Sequence, residues 1–141
     1  MEQKRGGFLI HNGHLDKKQN GQYSSPDRSK MVEVLIFYKN IEFIRTSVKR
    51  GRNYVDYVVK EDKNSSTKKA EQNYLSRRVQ LYKLIDVLPD YFIQVNRSEI
   101  INIFHITGRS GKYLFTEQKE FKITKTFEEK VNEMLLSFFN Q

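Results

Sequence analysis

The sequence predicts a mainly β domain of short antiparallel strands, with one short helix in mid-chain and one at the end. Three observations carry this. Most apolar residues lie in short runs rich in Ile, Val and the 10 Phe and 8 Tyr, bounded by Gly, Asn, Ser and charged residues, and such runs suit a pleated, half-buried surface. Between Ser76 and Pro89 the period changes, because Leu81, Leu84, Ile85 and Leu88 recur at helical spacing. A second helical stripe, Phe127, Val131, Met134, Leu135 and Phe138, closes the chain.

Met1 to Gly7 is polar. Phe8 to His11, followed by Asn12-Gly13, reads as a short strand entering a turn, since Asn-Gly adopts the positive φ that tight turns need. Asp16 to Met31 holds Gly, Pro, Ser and charges with almost no apolar residue, a loop or a disordered linker. The expected division is therefore a polar extension, 1–31, ahead of one domain, 32–141. Regular structure resumes in two short strands that carry Leu35, Phe37, Ile41, Phe43 and Ile44, with a break at Lys39-Asn40. A basic apex, Lys49 to Asn53, leads into the strand residues Tyr54, Val55, Tyr57, Val58 and Val59. Glu61 to Glu71 is a hydrophilic loop, and Tyr74-Leu75 begins the return strand.

Pro89 stops the mid-chain helix. Tyr91 to Val95 then reads as a strand, Asn96 to Ser98 as a polar turn, and Ile100 to Ile106 as a second apolar run packed into the core. Gly108 to Gly111 is expected as a turn. Lys112 to Thr126 follows as a hairpin with Tyr113, Phe115, Phe121 and Ile123 inward. Thr126 is the expected N-cap of the last helix, with Glu129 three residues on completing a capping box.

A chain of 141 residues and 16.8 kDa fits one domain. Its formal net charge of +8 and sequence pI of about 9.6 favour a polyanionic partner. The charge is concentrated: Arg45 to Lys83 holds eleven basic residues against four acidic ones, a net +7. With no Cys there is neither a disulfide nor a thiolate zinc site, and a cytoplasmic location is expected. The N-terminal apolar run, Phe8 to Ile10, is too short for a signal peptide. No stretch approaches the roughly 18 consecutive apolar residues that span a bilayer. Phosphate-cradling Gly loops, nucleophile motifs and metal-ligand sets are absent from the sequence, and His11 and His14 lack partners to complete a metal site. No enzyme, cofactor, metal, membrane or small-molecule substrate is expected.

The chain is organised around Tyr91 to Ile106, whose turn holds Arg97 at a loop apex between two apolar runs. Around it lie further landmarks in order: Ile41 to Ile44, Asn53 to Val55, a Leu-rich helix ending in Leu88-Pro89, then Phe92, Arg97-Ser98, Ile100-Ile101-Asn102 and His105-Ile106. From about Val34 to about Val131 this series resembles the LytTR domain, the DNA-binding module of many bacterial response regulators. The sequence departs from that family's pattern at Gln94, Asn96, Glu99 and Thr124, which affects which bases are read rather than the fold.

The resemblance implies an elongated antiparallel β fold of about three small sheets whose loops, not a recognition helix, enter successive major grooves of double-stranded DNA. It also implies a transcriptional regulator, with two copies on adjacent repeated sites. Base-contact candidates are then Arg50, Arg52, Asn53, Asn96, Arg97 and Lys125, because an Arg fork matches guanine O6 and N7 and an Asn amide matches adenine N6 and N7. Phosphate candidates are Lys49, Lys69, Arg77, Arg78, Ser98, Thr124 and Thr126. Each has an alternative. Arg97 could pair with Glu99 or Asp90, Ser98 and Asn102 could satisfy backbone groups, and the loop cations could be solvated. The alternative for the whole chain is a protein-interaction module, or antagonist of a related regulator, that has lost DNA reading.

Overall fold

The computed structural model describes residues 7–11, 33–60 and 74–139. The expected loops at 16–31 and 61–71, and with them Lys69, lie outside the described residues. Among the described residues, ten strands form three antiparallel sheets. Strands β1 (Gly7–His11) and β2 (Glu33–Phe37) pair with each other. The largest sheet has five strands in the order β5-β4-β3-β7-β6: β3 (Ile41–Ser47), β4 (Gly51–Val59), β5 (Tyr74–Arg78), β6 (Phe92–Asn96) and β7 (Glu99–Asn102). A third, three-stranded sheet is made of β8 (Gly108–Ser110), β9 (Tyr113–Phe115) and β10 (Glu120–Lys122).

The five-stranded sheet is buried on both faces, as its near-continuous apolar runs require. One face presents Ile44, Val55, Tyr57, Leu75, Phe92 and Ile100 to Leu81 and Leu84 of helix α1 (Leu81–Leu84) and to Leu88. The other presents Phe43, Val58, Ile93, Val95 and Ile101 to Leu114 and Phe121 of the small sheet, to Ile123, and to helix α2 (Lys125–Phe139) through Val131. Phe121 meets Phe43 edge-on with centroids 4.9 Å apart, which joins the two sheets. Buried Asn102 fastens the far end of β7: its amide donates to the Ile41 carbonyl at 3.0 Å, and its side-chain oxygen accepts from the Phe104 N–H at 3.0 Å.

Three expectations shift. Residues Gly108–Ser110 form a strand, with the turn at 111–112 where Gly111 adopts φ +58°. In β9 it is Leu114 that is buried, while Tyr113 is exposed. A strand places alternate residues on opposite faces, so the one-residue change of register exchanges them. Helix α2 starts at Lys125, and the Phe127 N–H bonds to the Thr124 carbonyl at 3.0 Å, so Thr126 lies inside the first turn and Thr124 precedes the helix. The short mid-chain helix is present as expected, as one α turn continued by a 3-10 turn over Ile85–Val87.

Candidate nucleic-acid interface

Strand pairing decides which side chains share an end of the molecule. Chain direction puts the β3–β4 turn beyond Ser47. Arg45 pairs with Glu99, and the Thr46 N–H donates to the Ser98 carbonyl at 2.9 Å, so the β6–β7 turn lies beside it. Tyr54 pairs with Arg78, which brings the end of β5 to the same edge. The Thr124 N–H donates to the Val95 carbonyl at 3.1 Å, which adds the start of α2. The three segments separated in sequence therefore lie at one end of the five-stranded sheet.

Local irregularity shapes the first of them. Thr46 pairs with Val55 but Ser47 with Gly51, so Arg52, Asn53 and Tyr54 bulge out of the ladder with β3. Gly51 makes this feasible at φ +95°, a conformation L side chains rarely adopt. Arg52 and Lys49 are exposed. Arg50 is half-buried, with its guanidinium over the Tyr54 ring 5.7 Å from the centroid, and its N–H donates to Ser47 Oγ at 3.0 Å. It braces the turn more than it projects from it. Asn53 is exposed, and its side-chain oxygen accepts from Gln80 Nε2 at 3.2 Å, which leaves a second lone pair on that oxygen.

The second segment contains an exposed Arg97. Among the described residues it makes neither of the ion pairs considered for it: Glu99 instead pairs with Lys119 Nζ at 3.2 Å. Asn96 differs from its expected role. One amide hydrogen goes to Glu99 Oε1 and one to the Lys122 carbonyl, each at 2.9 Å, while the side-chain oxygen accepts from the Ser98 N–H at 2.9 Å. An amide has only two N–H donors. Both are engaged, so Asn96 has none left for a base edge. Ser98 is exposed, and its backbone groups are the ones held.

In the third segment Lys125 and Thr126 are exposed and Thr124 is half-buried. On β5 the two arginines diverge. Arg78 is exposed, whereas half-buried Arg77 donates from Nη1 to the Tyr57 hydroxyl at 3.2 Å, since adjacent strand residues point to opposite faces. Arg77 thus has one guanidinium N–H engaged on the face of the sheet that carries Tyr57.

Two buried carboxylates were not foreseen, Asp56 behind this end and Glu42 near the opposite end of β3. Asp56 accepts from Arg45 Nε at 2.9 Å and from Ser76 Oγ at 2.7 Å. Buried Glu42 accepts from the backbone N–H of Gln118 at 3.1 Å and from its Nε2 at 2.9 Å, linking the main sheet to the β9–β10 loop. The hairpin apex hints at the Arg45–Asp56 pairing, but the bulge sets the register. Among the described residues, no group of three or more His, Cys, Asp or Glu side chains could hold a metal ion, and no helix is long and apolar enough to cross a membrane.

No protein-family model matches the chain, and no curated protein matches it in sequence. Among solved structures, the chain is similar to the LytTr DNA-binding domain of a Bacillus cereus protein described as a methyl-accepting/DNA response regulator. The TM-score is 0.59 at 14% identity, over 92% of this chain and 98% of that one. At that identity the likeness is one of architecture, and the chain adopts the fold of a LytTr DNA-binding domain.

Proposed function

We propose that this chain is a sequence-specific DNA-binding transcriptional regulator that inserts turns of a β scaffold into successive major grooves. The observation that carries the reading is the convergence of three turns at one end of the sheet, where Lys49, Arg52, Arg78, Arg97 and Lys125 are all exposed. Arg52 and Arg97 are assigned to base edges, together with Lys125. Lys49, Arg78, Ser98 and Thr126 are assigned to phosphates, Thr124 to placing the start of α2, and Lys69 to phosphate by its sequence context alone. The likeness to a LytTr DNA-binding domain supports the same reading. Recognition needs no metal, cofactor or chemistry on a substrate. It works through cation–phosphate attraction for affinity and hydrogen bonds to base edges for choice of sequence. A second copy on an adjacent repeat, and a location in the cytoplasm, belong to the same proposal.

The test is binding to random and to selected duplex DNA across salt concentrations. Affinity falling by about 0.9 log unit per log unit of salt for each phosphate neutralised, with a selected site preferred, is the expected result. Absence of duplex binding at low salt would favour a protein-interaction module, for which exposed Phe104, Leu136 and Phe139 supply an apolar surface.

A further inference from the structure

One transverse row of the five-stranded sheet is polar throughout. The register aligns Ser76 with Asp56, Asp56 with Arg45, Arg45 with Glu99, and Glu99 with Asn96. The next row inward is Leu75, Tyr57, Ile44, Ile100 and Gln94. A row of buried and half-buried polar groups is costly unless its members satisfy one another. Here Ser76 and Arg45 donate to Asp56, and Asn96 donates to Glu99.

At its β6 edge the row leaves the sheet. Asn96 reaches the Lys122 carbonyl, two residues before Thr124, and holds the Ser98 N–H across the turn that carries Arg97. Glu99 holds Lys119, one residue ahead of β10. Between them the two side chains grip β10 near both ends.

We infer that Asn96 is a positioning residue for recognition: its amide locks the Arg97 turn in fixed register with the segment that starts α2. Arg97 and Lys125 then meet DNA as one rigid unit. The inference rests on the DNA-binding reading above, and it replaces base contact by Asn96 with an indirect role. Placement of this kind matters because a base contact depends on sub-ångström geometry of its supporting shell. Loss of the bracket leaves cationic charge unchanged, so sequence-independent attraction to phosphate persists while discrimination fades.

The experiment compares a selected duplex, its single-base-pair variants and random duplex at one salt concentration. The proteins are wild type, Arg97→Ala, Asn96→Ala and Asn96→Asp. Asn96→Ala is expected to lower selected-site affinity by roughly 5- to 150-fold, the range of one good base contact. The loss should spread over the base pairs read by both Arg97 and Lys125, with random-duplex affinity and salt slope unchanged. Hydrogen exchange at the Ser98 amide should accelerate in the same variant. Asn96→Asp keeps the acceptor for the Ser98 N–H but cannot donate to the Lys122 carbonyl. It should therefore lose selectivity over the same base pairs as Asn96→Ala, and it carries the test if Asn96→Ala does not fold.

Relaxed preference at a single base pair in Asn96→Ala would mark a base reader and overturn the inference. So would unchanged selectivity in a folded Asn96→Ala or Asn96→Asp. Wild-type protein without salt-dependent duplex binding would sink the DNA-binding reading and this inference together. Normal wild-type binding with an indifferent Asn96→Ala would sink only the positioning role.

Discussion

Replacing Asp56 by Ala tests how the sheet beneath the basic end is held. Asp56 is 2% exposed, and its two carboxylate oxygens accept from Arg45 Nε at 2.9 Å and Ser76 Oγ at 2.7 Å. The variant takes the carboxylate from the Arg45 guanidinium and the acceptor from the fully buried Ser76 hydroxyl. Removing one partner of a buried pair costs about 3–5 kcal/mol. Arg45 is 21% exposed, so water recovers part of its solvation, which places the expected loss at the lower end, about 3 kcal/mol. Domains of this kind have about 5–15 kcal/mol in total, so the variant should fold but tolerate far less denaturant. With a urea slope of about 1–3 kcal/mol per molar, the unfolding midpoint should fall by about 1–3 M. Adding Arg45→Ala should cost much less than its effect in the wild type, with a coupling of at least about 1 kcal/mol in the double-mutant cycle. A destabilisation by Asp56→Ala below about 1 kcal/mol, or strict additivity, would refute the view that this pair is buried and mutually dependent.

Arg97→Ala should reduce selected-site affinity by about 1–3 kcal/mol while leaving thermal unfolding where it was, because Arg97 is exposed; a folded variant with unchanged site preference counts against its role. Phe121→Ala removes a fully buried ring packed edge-on to Phe43 and should cost about 3–5 kcal/mol by denaturant unfolding, unless the small sheet closes over the space. Burial pushes the Tyr57 phenol above its ordinary 10.0, against an opposing pull from Arg77. The native state therefore holds that proton more tightly than the unfolded chain. Its contribution to stability is intact below pH 10.0 and is lost as pH rises through the raised native value, so alkaline titration should show tyrosinate formation lagging in the folded protein relative to denatured protein. Asn102→Ala should cost about 1–3 kcal/mol, since it deprives the Ile41 carbonyl and the Phe104 N–H of a buried partner; a loss within experimental scatter would mean that water substitutes.

The strand content was legible because β-branched and aromatic runs such as Ile41 to Arg45 and Phe92 to Val95 leave few other ways to bury themselves. The stripe on α2 was legible for the same reason in its helical form, and Val131 is indeed buried against the sheet. Register was not. The bulge at Gly51 shifts pairing by several residues and so decides that Arg45 faces Asp56, and a one-residue slip was enough to exchange Tyr113 for Leu114. The contacts of Asn96 and Arg77 were hidden because an amide or a guanidinium reads the same in sequence whatever it faces across the fold. Only pairing reveals that Lys122 and Tyr57 stand within reach.

The same pairing changes the electrostatic meaning of the acids. Glu99, beside the Arg97 turn, is the residue that argues against DNA when the sequence is read in one dimension. In the fold its carboxylate is held by Lys119 and Asn96, and Asp56 behind it is held by Arg45. Each acid is thus offset by a neighbouring cation within hydrogen-bonding distance, and at the distance of a docked phosphate such close pairs act as dipoles rather than as charges. Exposed cations at this end, among them Arg52, Arg78, Arg97 and Lys125, keep their monopole fields. Glu128 and Glu129 differ, because they sit in the first turns of α2 just beyond Lys125, where the helix dipole favours negative charge. Replacing both with Gln should steepen attraction to any duplex while weakening α2 slightly. Replacing Glu99 should disturb selectivity before it changes attraction, and this order of effects separates an acid that opposes DNA from one that holds the turn facing it.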